Sequence, residues 1–120
     1  MTDRPLTPRE RDVLDFLLQG SDPIASALRN QVRVARVLQE AECCPSIHLY
    51  AEPREAERAP TDRVLVIEAQ YSDRPEQTVR LVTSANGWLS HLELVHVGGI
   101  PAPKEFPRPS ELGPPSRESY

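Results

Sequence analysis

The sequence predicts an α+β fold. Two N-terminal helices pack on one face of an antiparallel sheet of about five strands, and a proline-rich extended C-terminal segment follows. Three observations lead to this reading. Helical periodicity is confined to the opening residues. Later apolar stretches alternate with period two or run continuously, as strands do. Asn86-Gly87 stands between two alternating stretches, where it predicts a hairpin. A chain of 120 residues suits one domain, which we place at 1–99, with 100–120 as a segment free to pack on it.

The first helix is announced three times over. Thr7 is a natural N-cap, Pro8 suits the first helical position, and Glu10 completes a capping box. Val13, Leu14, Leu17 and Leu18 form its apolar stripe, Phe16 flanks it, and Gly20 stops it. Ser21-Asp22-Pro23 is a second cap, and Ile24, Ala27, Leu28 and Gln31 give a thinner stripe. The period then changes. Val32, Val34 and Leu38 alternate with Arg33, Ala35, Val37 and Gln39, which predicts a strand with Arg36 interrupting one face. Residues 41–45 read as a turn. Ile47 and Leu49 alternate with His48 and Tyr50, so a second strand completes a hairpin.

Residues 52–62 are charged and bounded by prolines, the pattern of a mobile loop. The continuous apolar run within 63–71 predicts a central strand covered on both faces. After a turn at 72–76, a two-residue Asn86-Gly87 turn fixes a register. Ala85 faces Trp88, Thr83 faces Ser90, Leu81 faces Leu92, and Val79 faces Leu94. On the other face Ser84 meets Leu89, Val82 meets His91, and Arg80 meets Glu93 as an ion pair. The chain holds 13 prolines, and six lie in the last 20 residues, which excludes a central strand or a long helix there. Ile100, Phe106 and Leu112 are the residues able to pin this segment to the domain.

Composition excludes several functions. The net charge is −4, and all of it falls within residues 41–100. An acidic chain without a basic block is a poor match for sequence-independent nucleic-acid binding. No run approaches the roughly 20 apolar residues of a membrane span. Met-Thr-Asp-Arg-Pro is not a signal-peptide start, so a cytoplasmic location is expected. Cys43 and Cys44 are neighbours; a structural bridge between them would be strained, and reduced thiols are expected. Zinc needs about four ligands, and only His48 lies near, so neither metal nor cofactor is expected.

Catalytic signals are sparse. His48, His91 and His96 fall on expected strands without an acid beside them in sequence. Ser46 lacks a nucleophile elbow, and Lys104, the single lysine, has no glycine-rich phosphate loop. A Cys44–His48 dyad is the one enzyme-like pairing, and no third group orients it. The weight therefore shifts to binding, through the hairpin face with Arg80, His91 and Glu93, the acidic loop with Glu52, Glu55 and Glu57, or the proline-rich tail. The expected function is a small non-enzymatic cytoplasmic protein-binding domain, an immunity-type inhibitor or adaptor with a basic protein partner. Two alternatives stay open: a DNA-binding regulator using residues 6–31, and a thiol-based sensor or enzyme at Cys44 and His48.

Two resemblances accompany these readings. Leu6, Thr7, Arg9, Glu10, Val13, Leu14 and Gly20 resemble the opening helix of the LuxR-type helix-turn-helix, which implies DNA binding. Beyond Gly20 the chain departs from that family: Pro23 takes the place of its glutamate, and residues 32–39 alternate where a recognition helix is due. Leu6–Glu10, Cys44-Pro45-Ser46-Ile47, Leu92–Val97 and Glu105-Phe106-Pro107 are similar to segments of a group of small uncharacterised actinobacterial proteins. That second resemblance implies no activity.

Overall fold

The Thr7 capping box forms as read. In the computed structural model, which describes residues 3–96 and 101–120, helix α1 spans Pro8–Leu17. The Thr7 hydroxyl accepts from the Glu10 N–H at 3.1 Å, and the Glu10 carboxylate accepts from the Thr7 N–H at 2.9 Å. Arg4 adds a contact that sequence reasoning missed. Its two terminal nitrogens each donate to one Glu10 oxygen at 2.9 Å, although Glu10 is only 6% exposed. Burial pushes the Glu10 pKa up, but the hydrogen bonds from Arg4 and Thr7 outweigh it and leave the carboxyl below its ordinary value. A depressed folded-state pKa stabilises the fold above the unfolded value of about 4.3, and that contribution is lost as pH falls through the folded value. We therefore expect the urea midpoints of wild type and Glu10→Gln to differ most near neutral pH. They should converge in acid.

Helix α2 spans Pro23–Val34, and within the expected Ser21-Asp22-Pro23 cap Asp22 is the N-cap, accepting from the Ala25 N–H at 3.3 Å. The strand expected over 32–39 is corrected here. Val32 and Val34 belong to the helix, because Leu28, Gln31 and Val32 continue one buried stripe at helical spacing. A short Val-x-Val segment satisfies either period, and packing against the sheet selects the helix. Ala35 then turns extended, and strand β2 (Arg36–Glu40) points Val37 inward and leaves Leu38 half-buried.

Among the described residues the sheet has seven strands rather than about five, all antiparallel, in the order β1-β2-β3-β6-β5-β4-β7. The remaining spans are β1 (Arg4–Pro5), β3 (Ile47–Tyr50), β4 (Leu65–Gln70), β5 (Thr78–Thr83), β6 (Leu89–Val95) and β7 (Ser116–Ser119). The two extra strands, β1 and β7, are short polar edges without an alternating apolar signal. Val37, Ile47, Leu49, Ile67, Ala69, Val79, Leu81, Leu92 and Leu94 form one buried face, which packs against Val13, Leu14, Leu17, Leu18, Leu28 and Val32 of the helices. Strand β4 is not covered on both faces. Its inward residues are buried, Val66 is half-buried on the far side, and its protection comes from strands on both edges.

The hairpin register is partly confirmed. Val79↔Leu94, Arg80↔Glu93, Leu81↔Leu92 and Val82↔His91 pair as expected. Nearer the turn the expectation fails. Ser84 N–H donates to Trp88 O at 2.8 Å, so the loop holds three residues, ending at Gly87 with φ +87°. Thr83 therefore pairs with Leu89, and an irregularity at that point restores the expected register beyond Ser90. Arg80 binds Glu68 at 3.1 Å rather than forming the expected ion pair with Glu93.

The charged 52–62 loop is tied down. Ala59 is fully buried, its N–H donates to Gly87 O at 2.8 Å, and Gln31 Nε2 donates to Glu57 O at 3.0 Å. The tail is also more regular than an extended segment. Phe106 and Leu112 join the core, a 3-10 turn spans Pro109–Glu111, and Gly113 N–H donates to Gln70 O at 2.8 Å. The last proline is Pro115, and the residues after it add β7 to the edge of β4. The 99/100 boundary and Ile100 lie outside the described residues. Among the described residues, no helix is long and apolar enough to cross a membrane.

Candidate protein-binding face

Both helices cover the same side of the sheet, and among the described residues no helix covers the other side, which we call the open side. Strand alternation decides what stands there. Ile47 and Leu49 point inward, so His48 and Tyr50 point outward; the same logic places Val66 and Glu68, Arg80 and Val82, and His91, Glu93 and Val95 on the open side. The register assembles them into rows across the sheet. One row runs Val66, Val82, His91, His48 and Gln39, and the next runs Glu68, Arg80 and Glu93. Arg80, His91 and Glu93 are therefore brought together as the sequence reading expected, and His48 joins them.

The two imidazoles touch edge to face, with ring centroids 4.2 Å apart and planes at 68°. His91 Nδ1 lies 2.8 Å from the Ser90 hydroxyl. Burial, reinforced by the neighbouring His48, lowers the His91 pKa against the smaller opposing pull of Glu93. His91 is thus mainly neutral at neutral pH, and it serves as a polar, partly apolar ring at the centre of the face. His96 lies just past the end of β6.

Among the described residues, the exposed large hydrophobic side chains are Tyr50, Val95 and Tyr120. All three belong to the open side. Tyr50 and Val95 follow strand alternation, and Tyr120 continues β7 past Ser119, with its N–H donating to Val64 O at 2.8 Å. Trp88 pairs with Ser84 beyond the slip in register, which moves it from the expected leucine face to the open side, half-buried. Sequence reasoning missed Tyr120 because it follows a polar strand with no apolar alternation, and Val95 because it adjoins Leu94 but falls on the opposite face.

The acidic loop is divided. Glu52 accepts from the Tyr50 hydroxyl at 3.2 Å and so borders the open face. Glu55 and Glu57 line a cleft of about 670 Å³ with Asn30 and Arg33 of α2, and Glu55 shares a second cleft with Glu52, Tyr50 and Arg11. A separate cleft of about 600 Å³ lies on the helix side, bordered by Arg4, Glu10, Glu40, Lys104, Phe106 and Cys44. Arg4 there is engaged by Glu10 and by Glu40 at 3.1 Å, and its pKa is raised chiefly by the Glu10 hydrogen bond. The structure does not bring Cys44 and His48 together: Cys44 touches Cys43 and Ser46 in the turn, while His48 touches His91. Among the described residues, no three His, Cys, Asp or Glu side chains gather as a metal-ligand set.

No protein-family model matches the chain, no curated protein matches it, and no solved structure matches it. The functional reading therefore rests on the geometry of the open face.

Proposed function

We propose that the protein is a cytoplasmic, non-enzymatic protein-binding module of inhibitory or adaptor type, and that the open face of its sheet is the binding surface. One observation carries this reading: the exposed large hydrophobic side chains described above all lie on the side that the helices leave uncovered. Tyrosine, tryptophan and valine stand about a polar centre of histidines, with the Glu68, Arg80 and Glu93 row crossing the face between Val82 and Val95; aromatic side chains of this kind are enriched at protein interfaces. Tyrosine supplies contact area at low conformational cost, since few torsions are fixed on binding. The surface is also acidic. Glu68, Glu93 and Glu118 stand on it, against Arg80, which Glu68 engages, and Arg36, which Asp3 engages. A partner presenting apolar groups flanked by Lys or Arg complements it, and steering by opposite charge favours encounter.

The test is site-specific photo-crosslinking in the native host. A photoreactive residue at Tyr50 or Val82 is expected to capture one dominant protein, and the same residue at Asn30 on α2 is not. Val82→Asp places a charge at the centre of the face and should weaken binding to that protein by more than about tenfold. Because Val82 is only half-buried, the variant should stay folded by circular dichroism. Equal capture from Asn30, or undiminished binding by Val82→Asp, overturns the assignment.

A further inference from the structure

Cys43 and Cys44 lie in the turn joining β2 to β3, which the Ala41 N–H closes onto Ser46 O at 2.9 Å. Their Sγ atoms are 2.7 Å apart, and both thiols are free. Cys43 is exposed, and Cys44 borders the cleft beside Thr7 and Pro8, so small solutes reach both. We propose that this pair is a redox modification site, which a hydroperoxide oxidises to a disulfide between the two neighbouring residues.

The surroundings assign different roles to the two sulfurs. The Ser46 hydroxyl accepts from the Leu94 N–H at 2.9 Å, while Cys44 Sγ lies 3.5 Å from the same oxygen. With a lone pair occupied by Leu94, Ser46 has its own O–H free to donate to a Cys44 thiolate. Burial alone would raise the Cys44 pKa, but hydrogen bonds from Cys43 and Ser46 lower it on balance. Cys43 moves the opposite way, chiefly because its hydrogen bond to Cys44 holds its proton. Cys44 is therefore the attacking sulfur and Cys43 the resolving one.

The chemistry balances with a hydroperoxide as oxidant. Cys44 thiolate attacks the peroxide, the O–O bond breaks, and an alcohol or water leaves with a proton, giving a sulfenic acid. Cys43 thiolate then attacks that sulfur, the S–O bond breaks, and water leaves. Two thiols lose two hydrogens, and the hydroperoxide is reduced to alcohol (or water) plus water.

Adjacency settles what kind of disulfide this is. Consecutive Cα atoms are about 3.8 Å apart, below the usual span of roughly 4.4–6.8 Å for bridged cysteines. Strain makes such a bond easily reduced, and strained, exposed disulfides are the labile, regulatory ones. The constraint that argues against a structural bridge therefore favours a reversible one.

The test uses the full chain treated with hydrogen peroxide and followed by intact mass. The expected product has lost two hydrogens, forms at a rate independent of protein concentration, and is restored by dithiothreitol. Cys44→Ser should slow the reaction by about tenfold or more, reflecting the lost thiolate. Cys43→Ser should react at nearly the wild-type rate but stop at a sulfenic acid that dimedone traps. Ser46→Ala should still form the disulfide, with Cys44 alkylation shifted to higher pH, which identifies Ser46 as a positioning residue. Stable oxygen addition without disulfide, cross-linked dimers, or a Cys44→Ser variant as reactive as wild type overturns the proposal.

Discussion

Gly87→Ala should be among the most damaging single substitutions in this protein, costing about 4 kcal/mol and lowering the melting temperature by roughly 10–20 °C. Two independent terms combine. Gly87 has φ +87°, where an L-residue pays about 1–2 kcal/mol. A side-chain carbon built there would also meet the backbone of Ala59: it overlaps the carbonyl oxygen and lies 2.9 Å from the nitrogen. Backbone cannot rotate away as a side chain can, so the 52–62 loop must move. Its movement strains the hydrogen bond from Ala59 N–H to Gly87 O, and Ala59 is fully buried. Two controls separate the terms. Asparagine tolerates positive φ, so if backbone conformation were the whole cost, Gly87→Asn would be mild; the contact with Ala59 predicts that it is nearly as damaging as alanine. Gly20 has φ +126°, but a carbon there meets the Asp22 side chain at 3.3 Å, which can yield. Gly20→Ala should therefore cost only about 1–3 kcal/mol. Thermal unfolding of the three variants decides the matter.

The same loop shows why part of the structure was legible in the sequence and part was not. Asn86-Gly87 marked a turn correctly, because glycine after asparagine reports a local backbone need. Its length was misread, because a three-residue loop followed by a compensating irregularity leaves the distant pairs where a two-residue loop would put them. Trp88 consequently stands on the open side, whereas the two-residue register puts it opposite Ala85 on the face of Leu81 and Leu92. The helix cap at Thr7 was legible because its partners are three residues apart. Arg4 was not, since nothing local links an arginine in a two-residue edge strand to a glutamate on the helix. The tail strand was hidden for a related reason. Ser116–Ser119 are all exposed and polar, so they carry no apolar alternation, and they pair along the edge of β4 that β5 leaves free. On the candidate face, Arg80, His91 and Glu93 could be placed together from the hairpin register alone. Bringing His48 and Tyr50 beside them required the pairing of β3 with β6, which joins distant parts of the chain.

Gln31→Leu should cost about 3 kcal/mol, although it puts an apolar residue of similar size into a fully buried site. On the sequence, Gln31 looked like the weak member of a thin helical stripe. In the structure its amide joins three segments. Nε2 donates to Glu57 O at 3.0 Å and to Gly87 O at 2.9 Å, and Oε1 accepts from Leu89 N–H at 3.0 Å. Leucine replaces none of these bonds. Gly87 O keeps Ala59 N–H as a donor, and Glu57 lies in an exposed stretch where water can serve. Leu89 N–H has no such recourse, because its residue is buried at the head of β6. An orphaned buried donor costs about 1–3 kcal/mol, and the loosened loop adds to it. Gln31→Glu separates hydrogen bonding from packing. A carboxylate accepts from Leu89 N–H but repels the carbonyls of Glu57 and Gly87, and burial disfavours its charge, so its folded-state pKa is raised. A raised carboxyl pKa penalises the fold above the unfolded value of about 4.3, and the penalty is relieved as pH falls through the folded value. A protonated carboxyl also regains a donor. Gln31→Glu should therefore sit far below wild type in urea midpoint near neutral pH and approach it in mild acid, while Gln31→Leu keeps a nearly constant deficit. Parallel pH profiles for the two variants would show that the amide acts by filling space rather than by tying α2 to the hairpin.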